Sequence, residues 1–235
     1  MSKKIDVSSV SECALLVRFK DVEPDLLPLL IGEMTQLLYS RGHYFIMNIT
    51  PAIDSLLIDY LPHRITDMDL HRVLCECLDS VDLQELQLTN ASLVKLPVYY
   101  DKEVAPDIER YLSKGISLEQ LVDLHSRITY TVTAIGFAPG FAFMDNVAKE
   151  LQMPRLSTPR LLVPKGSVAI ADHRTAVYPD DSPGGWNIIG NCPIELYQPN
   201  LQPMIPFKIG SKVQFYPIKR EEFLKLGGSV KGEFL

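Results

Sequence analysis

The stretch T-A-V-Y-P-D-D-S-P-G-G-W-N-I-I-G, Thr175–Gly190, places a Pro-Gly-Gly turn between two β-prone runs. It contains the only tryptophan of the chain, Trp186. The upstream stretch G-F-A-P-G-F-A-F-M, Gly136–Met144, has the same mixture of glycine, proline and aromatic residues. Glycine allows positive φ and close backbone approach, whereas proline fixes φ. Both stretches therefore predict rigid turns of a β-rich domain, which either only connect strands or also form the rim of a pocket.

Short β-prone runs surround these turns and are separated by glycine and proline. They occupy residues 129–135, 161–163, 167–171, 176–178, 187–189, 194–197 and 212–216. Two short helices are expected before them, one at Pro106–Lys114 and one that begins with Ser117 and Gln120 as a capping box. Many short strands with frequent turn signals are typical of a closed or nearly closed β-barrel. We expect this barrel domain to span residues 93–235.

The first part of the chain alternates strand and helix patterns. Strands are expected at residues 12–19, 43–50, 55–60 and 95–100, and helices at 25–41 and 66–78. This β-α-β-β-α-β order is that of the split βαβ, or ferredoxin-like, arrangement. The predicted fold class is therefore α+β, with a ferredoxin-like domain at residues 1–92 before the barrel. The strand at 95–100 is assigned either to the first sheet or to the barrel domain.

Composition and charge narrow the class of protein. The chain has 235 residues, of which 46% are hydrophobic and 22% charged, as expected for globular domains. Its formal net charge of −6 argues against a nucleic-acid partner, because such proteins usually present a basic face. No apolar run is long enough for a signal peptide or a membrane span, which predicts a cytoplasmic protein without a membrane partner. Cys75 and Cys77 form an isolated Cys-x-Cys, so no metal site is expected.

Three features of the predicted barrel domain are candidates for chemistry. Arg155 and Arg160 each follow a proline, and each guanidinium either binds a carboxylate or phosphate or forms a salt bridge inside the barrel. The run P-K-G-S, Pro164–Ser167, is either an anion site or a hairpin turn with a surface lysine. His125, at the end of a predicted helix, either caps that helix or acts as an acid or base. The sequence has neither a Walker-type phosphate loop nor a G-x-S-x-G elbow.

Three long motifs carry a resemblance to a known family. They are G-F-A-P-G-F-A-F from Gly136, P-R-L-S-T-P-R-L-L-V-P-K-G-S-V-A-I-A from Pro154, and Y-P-D-D-S-P-G-G-W-N-I-I-G from Tyr178. Together with P-V-Y-Y near residue 97 and H-S-x-x-x-Y-x-V from His125, they resemble the allophanate hydrolase subunit 1 family, also known as the 5-oxoprolinase B-subunit family. That family includes the sporulation histidine-kinase inhibitor. The resemblance implies a ferredoxin-like N-terminal domain and a cyclophilin-like β-barrel C-terminal domain.

The resemblance also implies a function. It predicts the B subunit of a bacterial 5-oxoprolinase, which acts with an A subunit and with a C subunit, an allophanate hydrolase subunit 2-like protein. Together the three proteins cleave 5-oxo-L-proline to L-glutamate with ATP, which the complex uses without a P-loop in this chain. Two alternatives stay open. The chain is either a protein that binds and inhibits a histidine kinase, or a carboxyltransferase subunit of the allophanate hydrolase and urea carboxylase type.

The family motifs identify the residues expected to line the groove for substrate or partner. They are Phe137, Pro139, Gly140, Phe141, Arg160, Pro164, Lys165, Gly166, Ser167, Thr175, Tyr178, Ser182, Pro183, Gly184, Gly185 and Trp186. His125 is the candidate acid or base, and the motifs assign no other catalytic role.

Several positions depart from the family pattern as the resemblance gives it, among them the following four. Phe143 stands where tyrosine is usual, Arg174 where glutamine is usual, Asn191 where arginine is usual, and Ala105 where glycine is usual. The changes at Phe143, Arg174 and Asn191 alter the hydrogen-bond donors and charges expected in the groove. A polar site that loses its donors loses selectivity steeply. A diverged member with another substrate, or without activity, is therefore an open alternative.

Overall fold

A computed structural model describes residues 4–89 and 93–230 of the chain. The chain divides into two compact units. The first contains the described residues up to 89 together with Lys208–Ser211, and the second contains the other described residues. In the described part of the chain, no helix is long and apolar enough to cross a membrane.

The first unit packs three helices with one four-stranded antiparallel sheet. Its elements are β1 (Lys4–Ser11), β2 (Ala14–Lys20), α1 (Leu27–Gly42), β3 (Ile46–Pro51), β4 (Ser55–Tyr60), α2 (Asp67–Ser80) and α3 (Leu83–Thr89). The sheet order is β1-β2-β4-β3. Leu30, Met34 and Leu38 of α1 are fully buried, as their helical spacing predicts. Helix α2 begins where expected, because the Thr66 side chain accepts a hydrogen bond from the backbone N–H of Asp69.

The first sheet differs from the predicted arrangement at one edge. Strand β4 lies between β2 and β3, as in a split βαβ. The strand expected at residues 95–100 does not join this sheet, and β1 occupies the place beside β2 instead. Sequence analysis missed β1 because K-I-D-V-S-S-V-S is polar and rich in serine. Only Ile5 and Val7 of this edge strand are half-buried, so its hydrophobic signal is weak.

The second unit is built around a seven-stranded sheet. Its elements are β5 (Leu93–Val98), α4 (Ile108–Leu112), α5 (Leu118–Ser126), β6 (Thr129–Ile135), β7 (Ala142–Asp145), β8 (Arg160–Val163), β9 (Ser167–Ala171), β10 (Arg174–Val177), β11 (Ser182–Gly184), β12 (Asn187–Asn191), β13 (Lys212–Pro217) and α6 (Arg220–Lys225). The sheet order is β12-β9-β10-β7-β6-β13-β5, and β8 with β11 forms a separate two-stranded ribbon. The strand expected near 95–100 is therefore β5, which pairs in parallel with β13.

The two edges of the large sheet meet, so the sheet is a nearly closed barrel. Just beyond β5, Tyr99 and Asn191 exchange two backbone N–H···O bonds, each 2.9 Å from nitrogen to oxygen. Gly190 lies beside this pairing, at the seam where the two edges of the sheet meet. A Cβ there would lie 2.6 Å from Val98 Cγ1 and 2.9 Å from the Tyr99 carbonyl oxygen. The barrel predicted from short strands and frequent turns is confirmed, in a chain of mixed α/β structure.

Most of the expected barrel strands are present, with three differences. Strands β6 and β9 have the predicted bounds, and Ser117 and Gln120 form the expected capping box of α5. The run at 194–197 is not a strand, because Leu196 alone is fully buried and the run has no ladder partner among the described residues. Strands β7 and β11 were missed, since they have only four and three residues and lie within glycine- and proline-rich turns.

Gly190→Ala should destabilise the protein by about 1–3 kcal/mol, because the new methyl group meets rigid backbone and buried side chains at the barrel seam. Gly136→Ala is the matched control, since no atom lies within 4 Å of a Cβ added there. Urea unfolding of the two variants measures the effect. Equal stability of the two variants would show that the seam does not constrain the barrel.

Candidate functional site

An open groove on the second unit is lined mainly by aromatic side chains. We call it the aromatic groove. Its volume is about 220 Å³, and its lining residues are Phe137, Phe141, Phe143, Arg155, Pro159, Tyr178, Pro183, Gly184, Gly185 and Trp186. They come from the turn between β6 and β7 and from β7 itself, from the segment before β8, and from the segment between β10 and β12. The groove thus joins parts of all three family motifs.

The walls of the aromatic groove are held by edge-to-face ring contacts. The ring of Phe141 packs against Tyr178 at a centroid distance of 5.3 Å and against Trp186 at 5.7 Å. Phe143 contacts Trp186 at 5.9 Å. Such contacts add about 0.5–1.5 kcal/mol each beyond the buried area. Because Phe141, Tyr178 and Trp186 are also almost fully buried, the wall is rigid before any ligand binds.

Phe137 stands at the rim of the groove in an unusual backbone conformation. Its φ is +72°, a left-handed value that costs a non-glycine residue about 1–2 kcal/mol. Its side chain is nevertheless 64% exposed and touches Phe141 with one ring edge. The turn is closed by hydrogen bonds that join Gly136 and Phe141 and that join Phe141 and Ala138. Backbone strain that displays an aromatic ring beside a pocket is typical of functional sites.

Tyr178 lines the aromatic groove, and its hydroxyl oxygen is packed against Gly184. A Cβ on Gly184 would be 2.3 Å from the Tyr178 oxygen, so only glycine leaves room for the hydroxyl. Burial raises the pKa of Tyr178 to about 12, while the Trp186 backbone N–H and the charges of Arg155 and Arg160 act in the opposite direction. The hydroxyl therefore remains protonated at neutral pH and sits in a locally positive potential.

Pro164, Lys165 and Gly166 of the P-K-G-S run line a second, polar cavity of about 460 Å³. Lys165 Nζ lies 2.7 Å from Glu195 Oε1, and its backbone N–H donates to Asp181 Oδ1 at 2.7 Å. Asn191 donates through Nδ2 to the Lys165 carbonyl oxygen. Gly166 has φ of +81°, and a Cβ there would lie 2.4 Å from the Cys192 carbonyl oxygen. The run is therefore a tight turn whose lysine charge is compensated by Glu195, as the hairpin alternative predicts.

His125 lies in the core of the barrel, outside both cavities. The Thr175 hydroxyl donates to the Ala169 carbonyl oxygen and therefore accepts from His125 Nε2, 3.0 Å away. His125 Nδ1 is then the acceptor for the Tyr100 hydroxyl at 2.7 Å. Burial lowers the pKa of His125 to about 3, so the imidazole is neutral. This buried chain of hydrogen bonds favours a structural role for His125 over the acid or base alternative.

Arg160 forms a buried ion pair. Its two terminal nitrogens lie 2.9 and 2.8 Å from the two carboxylate oxygens of Asp107, whose side chain is 5% exposed. The same carboxylate accepts the backbone N–H of Ile188 at 2.8 Å. The salt-bridge alternative therefore describes Arg160. Asp107 was not predicted as a site residue, because its carboxylate meets Arg160 only through the fold.

The structure therefore distributes the predicted residues over several environments. The aromatic groove takes Phe137, Phe141, Tyr178, Pro183, Gly184, Gly185 and Trp186, and the polar cavity takes Pro164, Lys165 and Gly166. Ser167 and Thr175 are buried in the barrel, Pro139 and Gly140 shape the turn behind Phe137, and Ser182 begins β11. The hydroxyls of Ser167 and Ser182 are buried without a hydrogen-bond partner among the described residues.

The positions that depart from the family pattern lie in different places. Phe143 lines the aromatic groove, and Asn191 lines the polar cavity. Arg174 is bound to Asp145 at 2.8 Å, while Ala105 is fully buried. Within residues 4–89 and 93–230, no group of three or more His, Cys, Asp or Glu side chains is placed to hold a metal ion.

Comparison with known proteins places this barrel and its motifs in a family. The model of the carboxyltransferase domain, subdomain C and D, matches residues 5–207, and the chain belongs to that family. The resemblance to the 5-oxoprolinase B-subunit family is confirmed by its relatives. The chain is 28% identical to the 5-oxoprolinase B subunit of Bacillus subtilis over 95% of this chain and 97% of that protein. It is 39% identical to the 5-oxoprolinase B subunit of Escherichia coli O157:H7 over 54% of this chain and 58% of that protein.

Solved structures show the same fold alone and within longer chains. TTHA0988 matches with a TM-score of 0.76 and 30% identity over 88% of this chain, which spans 40% of the TTHA0988 chain. The Pyrococcus horikoshii protein PH0987 matches with a TM-score of 0.55 and 30% identity, over 93% of this chain and 100% of that one. The Kluyveromyces lactis urea carboxylase, at 17% identity and a TM-score of 0.62, shares the fold over 95% of this chain and 22% of its own.

The neutral, buried His125 predicts a pH dependence of stability. The folded protein keeps His125 uncharged, whereas the unfolded chain takes up a proton below pH about 6.5, so the free energy of unfolding should fall as the pH falls from 6.5 towards 3. The contribution should approach about 1.4 kcal/mol per pH unit. Urea unfolding of wild type and His125→Gln over this range measures it, because titrations that both proteins share cancel in the difference. A difference independent of pH would contradict a neutral His125.

Asp107→Ala should cost about 3–5 kcal/mol, because it removes the buried carboxylate that binds the Arg160 guanidinium and the Ile188 N–H. Asp123→Ala is the matched control. It removes an ion pair with Arg127 in which both side chains are more than half exposed, and should change stability by less than about 1 kcal/mol. Thermal and urea unfolding compare the two variants. If both variants lose less than about 1 kcal/mol of stability, the ion pair between Asp107 and Arg160 does not stabilise the barrel.

Proposed function

We propose that this chain is the B subunit of a 5-oxoprolinase and is active only in a complex with the A and C subunits of that enzyme. The complex would open 5-oxo-L-proline to L-glutamate at the expense of ATP. The observation that carries the proposal is the match to the Bacillus subtilis protein, which extends over nearly all of both chains. We assign the use of ATP to the complex, since this sequence has no P-loop motif.

The occurrence of the fold in longer chains supports partner subunits. This chain covers the whole of PH0987 but 40% of TTHA0988 and 22% of the urea carboxylase. A domain that occurs both as a separate chain and as part of longer chains is suited to function in contact with other domains. We propose that the direct partner is a C subunit with a similar barrel, and that the barrel of this chain, from about residue 93 onwards, is of the cyclophilin type.

The aromatic groove is the proposed substrate site. It combines rigid ring walls, a protonated Tyr178 hydroxyl and a positive charge from Arg155, so it can hold a small molecule that is partly apolar and partly anionic. The buried motif residues Ser167, Thr175 and Arg160 would then support the walls from behind. The departure at Phe143 changes this groove directly, because the ring lies in its lining without a hydroxyl.

A carboxyltransferase subunit for another small amide is the second candidate. The family model is that of a carboxyltransferase domain, and the barrel has the fold of the Kluyveromyces lactis urea carboxylase over most of its length. The two candidates differ in the reaction of the assembled complex. The first requires glutamate release coupled to ATP hydrolysis, whereas the second requires carboxyl transfer to an amide.

Reconstitution tests the proposal. The chain alone, the chain with the C subunit, and the chain with both partners are assayed for ATP-dependent glutamate release from 5-oxo-L-proline. We expect turnover only in the complete complex, with a loss of about tenfold or more in Tyr178→Phe, which removes a groove donor but keeps the ring. Tyr216→Phe, which removes an exposed hydroxyl outside the aromatic groove, is the control.

The other possible results of the reconstitution distinguish between the candidate functions. Failure to form a complex with the C subunit would reject the proposed place of this chain in the enzyme. A stable complete complex without glutamate release, but with carboxyl transfer to a small amide, would favour the second candidate. The histidine-kinase alternative stays a prediction, and binding of a kinase domain by the chain alone would test it.

A further inference from the structure

Arg155 differs from Arg160 in that its charge is not compensated. Among the described residues, no carboxylate forms an ion pair with Arg155, and the side chain is exposed. Its guanidinium carbon lies 5.9 Å from the centre of the Trp186 ring, within the range of a cation–π contact. Of the described residues that line the aromatic groove, Arg155 is the one with a formal charge. The groove is therefore locally positive, although the chain as a whole has a net charge of −6.

A second hydrogen-bond donor shares the aromatic groove with Arg155. The Tyr178 oxygen interacts with the Trp186 backbone N–H, and the positive charge of Arg155 acts on the same oxygen. Since the hydroxyl stays protonated, its O–H is able to donate to a ligand in the groove. Tyr178 and the charged Arg155 both line a space otherwise enclosed by phenylalanine and tryptophan rings, proline and glycine. This combination favours a ligand with a flat apolar part and one anionic oxygen group.

The size of the groove restricts the ligand further. Its volume of about 220 Å³ is below that of pockets for drug-sized ligands, which occupy roughly 300–1,000 Å³. The guanidinium of arginine is a planar fork that matches a carboxylate with two parallel hydrogen bonds. The apolar walls match the face of a small ring. A small ring carrying a carboxylate satisfies each of these features.

We propose that Arg155 is the residue that recognises the substrate's carboxylate in the aromatic groove, with the substrate ring packed against the aromatic lining beside Trp186. The proposal rests on the proposed function and makes it more specific, because 5-oxo-L-proline is a five-membered ring with one carboxylate. Arg155 binds and orients the substrate. The hydrolytic step and its proton transfers are not assigned to it.

The single tryptophan provides a direct test in the full-length chain. Trp186 lies in the groove wall, so intrinsic tryptophan fluorescence reports this site alone. Titration with 5-oxo-L-proline should change the emission, and the uncharged carboxamide of the same ring should bind at least tenfold more weakly. Arg155→Gln should abolish the preference for the carboxylate and weaken 5-oxo-L-proline binding about 10–100-fold, the range of a charged hydrogen bond. Arg155→Lys should retain part of the affinity.

Arg127→Gln is the matched control, because Arg127 is an exposed arginine outside the groove lining. It should leave both titrations unchanged, and unfolding curves should show that each variant is folded. Equal binding of the acid and the carboxamide, or no effect of Arg155→Gln, would overturn the proposal. An emission change produced only by a partner protein, and not by any small carboxylate, would overturn it as well.

An assay of the complete complex tests the role of Arg155 separately from the proposed function. If the complex releases glutamate, Arg155→Gln should raise KM for 5-oxo-L-proline at least tenfold, with a smaller change in kcat. Unchanged KM would reject the role of Arg155 while the function stands. If the complex does not act on 5-oxo-L-proline but the chain binds small ring carboxylates through Arg155, the function fails and the carboxylate site stands.

Discussion

The second unit depends on the buried hydrogen bonds that the Asp107 carboxylate accepts. This carboxylate accepts two hydrogen bonds from Arg160 at the start of β8 and one from the Ile188 backbone in β12. It thereby ties the β8–β11 ribbon to the edge of the barrel beside the segment that carries Trp186. Because a buried carboxylate is stable only when its lone pairs are satisfied, the ribbon has one favourable position. That position brings Pro159 and Gly184 to the aromatic groove.

A second buried network explains why several family motifs occur together. Tyr100 belongs to P-V-Y-Y, and His125 is the first residue of H-S-x-x-x-Y-x-V. Thr175 lies shortly before the third long motif, which begins at Tyr178. The side chains of Tyr100, His125 and Thr175 form one continuous chain of hydrogen bonds inside the barrel. A buried imidazole needs a partner for each ring nitrogen, and no single motif supplies both. Much of the motif pattern therefore describes the interior of the barrel, and a smaller part describes the groove.

Local sequence predicted much of the fold. The capping box of Ser117 and Gln120, the strands β6 and β9, and the turns around Gly140 and Gly166 follow from short-range chemistry. The edge strand β1 was not predicted, and the sheet joined by the strand near residue 95 was left open, because pairing between strands distant in sequence has no local signal. The aromatic lining of the groove was expected from Phe137, Phe141, Phe143, Tyr178 and Trp186. Arg155 was identified as a candidate, but its role could not be separated from that of Arg160.

The sequence by itself determined the family, the barrel, and the rigid aromatic turns, since each depends on residue types at short and regular spacings. Only the tertiary structure decided which charges are available for chemistry. Arg155 and Arg160 occupy equivalent Pro-Arg positions, yet Arg160 is neutralised by a carboxylate 53 residues away, whereas Arg155 faces the groove. Burial likewise keeps the His125 imidazole neutral. Ion pairing and desolvation depend on neighbours in space, which a linear pattern does not specify.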